Sequence, residues 1–560
     1  MSESPSLDSY FGPRSGEAPL GMVVGGSLSG GLLVNLNPQL SIEHLAVGRY
    51  VVIEGASGSR FFGLVTDIAL DAINPDLVRQ PPPAGDAFAA EVYSGGLAFG
   101  ALKITPMLVL HPGEDEPRPV KTVPAHFTAV FEATARDVEQ VFGKEDKDHF
   151  FLGTPLDMEQ VHIHLDLQRL VERSSGVFGK SGTGKSFITR TLLAGVIRSR
   201  LASVLIFDMH NDYGWTVRGE AEREFKGLRQ LFSDGSVSVV TLDPQTSAAR
   251  NSKVDRVLQI GYDQIEPEDV ELLAGLLGLS DVQIGALYWL RRRLGKSWIS
   301  KLLSEEKDSA SHPGGDDELE KMLEDESIVK GTLYAIQRKF ELFRRLEFLV
   351  PGESEDVVED IFLRLNRKTS VVLEFGRYGN TLEAYVLVAN FLTRRIHERY
   401  VRQMDRAVGK TADEPHPLTI VIEEAHKFLD PQRSRHTIFG TIARELRKYN
   451  VTLLVVDQRP SGIDEEVMSQ IGTRISCLLD NEADIRAVFS GVSGATTLRE
   501  VLARLDTRQQ ALILGHAVPM PVVIRVRDYD TTLYAALGAA ADEQEVQRRG
   551  AKAARDLYGD

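Results

Sequence analysis

Gly179-Lys180-Ser181-Gly182-Thr183-Gly184-Lys185-Ser186 fits the phosphate-loop pattern G-x-x-x-x-G-K-[ST]. Its setting matters as much as its letters. The run SSGVF before it reads as a strand ending at Phe178, and the residues from Lys185 to Arg198 have the period of a helix. A glycine-rich turn between strand and helix points backbone N–H groups at phosphate, and the helix N-terminus adds the positive end of its dipole. In such a loop Lys185 meets the β- and γ-phosphates of ATP, and the Ser186 hydroxyl holds Mg2+. The bland alternative is a chance match in a Gly/Ser-rich turn. A weaker echo of nucleotide chemistry, Leu28-Ser29-Gly30-Gly31, lies N-terminal to the loop and reads as a hairpin turn.

A phosphate loop works with a strand that ends in acid, and Leu418-Thr419-Ile420-Val421-Ile422-Glu423-Glu424 supplies one. Its apolar and β-branched residues suit a strand buried on both faces. Two adjacent carboxylates at its end assign Glu423 to support hydrated Mg2+ with Ser186, and Glu424 to orient and polarise the attacking water. As plain caps of the next helix they would only answer its dipole. His426 reads equally as a partner of Glu424 and as a structural histidine. The following strand, Val451–Asp457, runs into Gln458-Arg459-Pro460-Ser461. Ligands in open α/β sheets sit beyond the carboxyl ends of strands, so Gln458 is a γ-phosphate sensor or else an ordinary turn residue.

From about Val171 the chain alternates strand and helix: SVLIFDM, VSVVTL, SVVLEF, LTIVIEE, VTLLVVD and RISCLL are the strands, which indicates a parallel sheet covered by helices. Residues from about Ile265 to Phe362 interrupt it with helical periodicity. Within that interruption Leu272–Leu290 reads as soluble helix and EEKDSASHPGGDDE as an exposed, flexible loop. Upstream, GMVVGG, GGLLVNL, GRYVVIEG and RFFGLVTDI suggest a small antiparallel barrel or sandwich, which MLVLHPG would close. In VHIHL, His162 and His164 share a strand face without acidic partners and read as packed or exposed, not as metal ligands.

At 560 residues the chain needs more than one core. Hydrophobic residues at 42% and charged residues at 26% place it among globular proteins and outside the disordered class. The net charge of -16 excludes a protein that coats nucleic acid with its whole surface, although not one with a local basic channel. One cysteine, Cys477, forbids an internal disulfide and a cysteine-rich metal site, and fits a cytoplasmic setting. No apolar run is long enough to span a bilayer, so no membrane association is expected.

The sequence resembles the HerA-type ATPases, relatives of the FtsK translocases, in GKSGTGKS, EEAHKFLD, ARELRKYN with VTLLVVDQRPSGI, and ALILGHAVPMPVVIRVRD. The β-rich stretch also resembles the family's N-terminal barrel. The fold then expected is α/β: a mobile tail at 1–20, a β-barrel at 21–135, a RecA-like P-loop core at 136–264 and 363–530 with a mainly parallel sheet, a helical insertion at 265–362, and a C-terminal helix or arm at 531–560. The resemblance implies a homohexameric ring that hydrolyses ATP and translocates on double-stranded DNA, with a separate nuclease of the NurA type or another effector in DNA end processing, repair or defence. It places an arginine finger on Arg447, where Leu446 replaces the family's usual glycine, and further nucleotide-site roles on Arg173 and Asp208. Arg433 and Arg435, in PQRSRH after the acid strand, are then the candidate DNA contacts at the pore. The competing functions are an envelope-associated pump for DNA or protein, which needs an anchored partner, and a regulatory module in which ATP only drives assembly.

Overall fold

The structure is a computed structural model that describes residues 18–538 apart from 56, 73–84, 86–87, 89–97, 115, 157, 219–222, 305–329, 353–354, 433, 435–436, 445–447, 493–494 and 507–508. The chain divides into two compact units. One comprises Met1–Leu170, Phe178–Ile188 and Gly472–Arg527, and the other Val171–Val177, Thr189–Ile471 and Asp528–Asp560.

In the first unit, strands β1 (Gly21–Ser27), β2 (Gly31–Leu36), β3 (Tyr50–Glu54), β4 (Arg60–Ala72), β5 (Ala98–Leu110) and β6 (Ala129–Glu132) run in the order β2-β1-β6-β3-β4-β5. Pairing of β5 back onto β2, from Leu32↔Ile104 to Asn35↔Ala101, closes them into an antiparallel barrel. Closure removes the unpaired edges that an open sheet would expose. Alternation fills it: Val23, Val34, Ile53, Val65, Ile104 and Val130 point inward, while Met22 and Val24 face out. The Leu28–Gly31 turn joins β1 to β2 as the hairpin expected of it, with Gly31 at φ +85°. The expected choice between barrel and sandwich resolves to a barrel, and MLVLHPG lies at the end of the strand that closes it.

The same unit carries a further run of antiparallel strands. Its strands β7 (His149–Pro155), β8 (Ile163–Asp166), β15 (Thr473–Ser476), β16 (Gln510–Gly515) and β17 (Val522–Val526) lie in the order β15-β16-β17-β7-β8. The run RISCLL, expected to continue a parallel series, therefore leads into antiparallel pairs. His164 on β8 is buried with Nδ1 3.1 Å from the Gly143 carbonyl, and His162 stacks on Phe151 at 3.9 Å. Among the described residues no group of three His, Cys, Asp or Glu is placed to hold a metal ion.

The second unit holds the strand–helix alternation. Strands β9 (Ser175–Phe178), β10 (Ser203–Asp208), β11 (Val237–Thr241), β12 (Ser370–Glu374), β13 (Leu418–Glu423) and β14 (Val451–Asp457) lie in the order β11-β12-β10-β13-β14-β9. The pairs β11–β12, β12–β10, β10–β13 and β13–β14 are parallel. Their residues are almost all buried, as continuous apolar runs in a sheet covered on both faces require. Between β11 and β12 come helices Pro267–Glu271, Ala274–Leu277, Asp281–Leu294, Trp298–Ser304, Lys330–Arg345 and Val357–Asn366. The stretch 272–290 is not one helix: Gly278 in the left-handed conformation ends one, and Ser280 caps the next through the Gln283 N–H. The acidic loop expected at 305–318 lies outside the described residues, as do residues 1–17 of the tail expected at 1–20 and residues 539–560 of the arm expected at 531–560, whose start forms the helix Thr531–Ala536. No described helix is long and apolar enough to cross a membrane.

Candidate nucleotide site

The phosphate loop belongs to the first unit. It leaves β9 at Phe178 and enters the helix Lys185–Ser199, with Gly182 and Gly184 at φ +80° and +91°, a region that side chains disfavour. A Cβ on Gly179 would stand 2.8 Å from the Cys477 Cβ. Neighbouring backbone sutures the loop: the Cys477 N–H donates to the Phe178 carbonyl at 2.8 Å, and the Lys180 N–H to the Leu478 carbonyl at 3.1 Å. Inside it the buried Thr183 hydroxyl donates to the Lys180 carbonyl at 2.8 Å. Lys180 itself is exposed and pairs with Asp480 at 2.5 Å. Ser181 sits at the turn, and Lys185 and Ser186 open the helix. Burial pushes the Cys477 thiol up to about 11, with Thr183 and Lys185 opposing it, so the cysteine is an inert wall behind the loop.

The acid strand belongs to the second unit. Glu423 ends β13 between two buried tyrosines. The Tyr213 hydroxyl donates to Glu423 Oε1 at 2.8 Å, and the Tyr385 hydroxyl meets the Glu423 carbonyl and N–H at 3.0 and 3.2 Å. Glu424 takes φ +48° and accepts the Gln458 side-chain amide at 3.1 Å. The structure thus brings Glu424 and Gln458 together at the ends of neighbouring parallel strands. His426, left open between two readings, bonds through Nδ1 to the Asp457 carboxylate at 3.0 Å and lies 3.8 Å from Glu424. The hydrogen bond to Asp457 raises the imidazole above its ordinary pKa, and the same bond, against the effect of burial, holds Asp457 below the ordinary carboxylate value.

Asp208 ends β10 with no exposed surface. Its two oxygens accept the N–H groups of Asp212 and Tyr213 at 2.7 and 2.8 Å, so it shapes the turn that delivers Tyr213 to Glu423. Arg190, on the helix that follows the loop, lies 5.9 and 6.0 Å from the ring centres of Tyr213 and Tyr529. Beside Asp208, across the β10–β12 pair, is Glu374, a buried acid that the sequence reading passed over. Burial raises Asp208 to about 6; burial, then the charge of Asp208, raises Glu374 to about 7. The missed signal was present: SVVLE ends a buried strand in acid just as LTIVIE does. Arg173 is half-buried before β9, its Nε without a hydrogen-bond partner among the described residues. Arg447, Arg433 and Arg435 lie outside the described residues.

A phosphate loop between strand and helix, and a buried parallel sheet ending in paired acids, define a P-loop ATP hydrolase. Residues 150–396 match the family model described as the central domain of helicase HerA. The chain is 24% identical to the DNA double-strand break repair helicase HerA of Pyrococcus furiosus over 431 residues, covering 71% of this chain and 73% of that one. It is 26% identical to the protein of the same name from Sulfurisphaera tokodaii over 370 residues, covering 64% of this chain and 66% of that one. Among solved structures, VirB4 of Thermoanaerobacter pseudethanolicus aligns with a TM-score of 0.44 at 15% identity, covering 69% of this chain and 98% of that one.

Proposed function

We propose that this protein is an ATP-driven motor that moves along double-stranded DNA as a homohexameric ring with a RecA-like core, working with a separate nuclease of the NurA type or another effector. The observation that carries the hydrolytic part is the pairing of Glu424 with Gln458 at the ends of adjacent parallel strands in a chain whose phosphate loop is intact. The DNA substrate is supported by the names of the HerA relatives.

In this reading the loop from Gly179 to Ser186 binds the ATP phosphates, and Lys185 neutralises charge on the β- and γ-phosphates. Ser186 and Glu423 offer the hydroxyl and carboxylate oxygens that suit Mg2+, an ion that takes one or two protein oxygens and completes its shell with phosphate and water. When bound, that ion supplies charge neutralisation on the phosphates. Glu424 orients the attacking water, Gln458 senses the γ-phosphate, and Arg447 of a neighbouring subunit stabilises charge in the transition state. Asp208 supports the nucleotide site from the end of β10, and Arg173 from the start of the strand that leads to the loop.

ATPase rates with and without linear duplex DNA, on protein sized by light scattering, test the proposal in one experiment. Turnover stimulated by DNA in a particle of about six subunits is the expected result. ATP binding without turnover would favour a regulatory assembly module.

A further inference from the structure

We infer that Asp457 and His426 are positioning residues for Glu424, a buried carboxylate–imidazole staple that fixes the turn carrying this acid. The inference rests on the proposed role of Glu424 in orienting water. Glu424 is a non-glycine residue at φ +48°, a conformation that persists only where its surroundings impose it. Those surroundings are specific. Asp457 has no exposed surface, and its carboxylate bonds to the two turns that leave β13 and β14. Oδ2 accepts the His426 N–H at 2.7 Å, Oδ1 accepts the Arg459 N–H at 2.6 Å, and the His426 ring Nδ1 lies 3.0 and 3.1 Å from the two.

The parallel register sets Glu423 opposite Val456, so the next residues on each strand emerge side by side. Gln458, next after Asp457, donates to Glu424 Oε1 at 3.1 Å, and His426 Nδ1 stands 3.8 Å from Oε2. Each oxygen of Glu424 therefore faces a group whose own position depends on Asp457. Gly462 limits the slack, since a Cβ there would come within 3.1 Å of the His426 Cβ. Buried charge held by charge-assisted hydrogen bonds is rigid, and an error of about 1 Å in a reacting group costs on the order of 100-fold in rate.

The test compares Asp457→Asn, His426→Gln and Glu424→Gln in the full chain, measuring steady-state ATPase, affinity for a fluorescent ATP analogue and melting temperature. The staple predicts that both positioning variants lose at least about tenfold in kcat while KM and nucleotide affinity stay within about twofold. In the Glu424→Gln background, either change lowers the residual single-turnover rate no further, because the staple acts only through the lost carboxylate. Wild-type kcat in both positioning variants, with Glu424→Gln inactive, overturns the inference. So does a parallel fall of kcat, nucleotide affinity and residual rate, which marks general damage. Wild-type turnover in Glu424→Gln would instead overturn the underlying role of Glu424. Should Asp457→Asn fail to fold, His426→Gln decides, because that side chain is already 26% exposed.

Discussion

In the proposed mechanism Lys185 and Glu424 serve different steps, so their losses should separate. Lys185→Ala removes the charge that meets the phosphates and is expected to abolish hydrolysis, whereas Glu424→Gln retains ATP binding and stops turnover. Measured by nucleotide titration beside ATPase rate, an unmodified rate in Glu424→Gln would reject its role. Glu374 gives a second prediction, in stability. A carboxylate raised in the folded chain to about 7 binds its proton more tightly there than in the unfolded chain. Its contribution is complete below the ordinary carboxylate range and is lost as pH rises through about 7, on the order of 3 kcal/mol in all and shared with Asp208. The melting temperature should therefore fall between pH 5 and 8, and Glu374→Gln should flatten that fall; equal slopes in the two proteins would reject the coupling. The phosphate loop and the acid pair were legible because their chemistry is local in sequence. Tyr213 and Asp457 were not, since each acquires its meaning from a partner well away in the chain: 210 residues for Tyr213 to Glu423, and 31 for Asp457 to His426.

Strands buried on both faces announce themselves as unbroken apolar runs, which is why β10, β12, β13 and β14 could be read from letters alone. Pairing direction leaves no such mark. Thr473–Ser476 looks like its parallel predecessors, yet it runs antiparallel to Gln510–Gly515. The stretch 272–290 misled for a local reason: apolar periodicity carries through Gly278 and Ser280, whose stop and cap outweigh it. A prediction follows for how the helical segment is held. Asp269, in helix Pro267–Glu271, is fully buried and accepts the guanidinium groups of Arg394 and Arg395 on the long helix Leu382–Val408 at 3.0 to 3.2 Å. Removing one partner of such a pair leaves charge stranded, at a cost of about 3–5 kcal/mol. Asp269→Ala should lower the denaturant midpoint accordingly, while replacement of the exposed Glu268 should leave it within about 0.5 kcal/mol; equal effects would show that the pair does not anchor the segment.

At the scale of the whole chain, net charge and proposed substrate pull against each other. A protein with net charge -16 that grips a polyanion must gather its positive charge locally. Sharing between subunits has its own test: if Arg447 acts on a neighbour's nucleotide, rings mixed from Arg447→Ala and Glu424→Gln subunits should regain activity wherever an intact arginine meets an intact glutamate, and no recovery despite proven exchange would reject action in trans. The candidate DNA contacts lie in the segment after the acid strand. Ser434, between Arg433 and Arg435, is buried, its N–H donating to the Asp430 carbonyl at 2.9 Å and its carbonyl accepting from Arg444 at 3.1 Å. If the two arginines contact DNA, the contacts are to phosphate and carry no sequence preference, with affinity falling steeply as salt rises, because each released counterion gains less entropy in a saltier solution. Replacing both with Ala should weaken binding to unrelated duplexes alike, flatten the slope of log affinity against log salt by roughly 0.9 per lost phosphate contact, and reduce DNA-stimulated ATPase more than the basal rate. An unchanged salt slope in a double variant that still forms rings would take this segment off the DNA path and leave the motor's grip to be sought elsewhere on the chain.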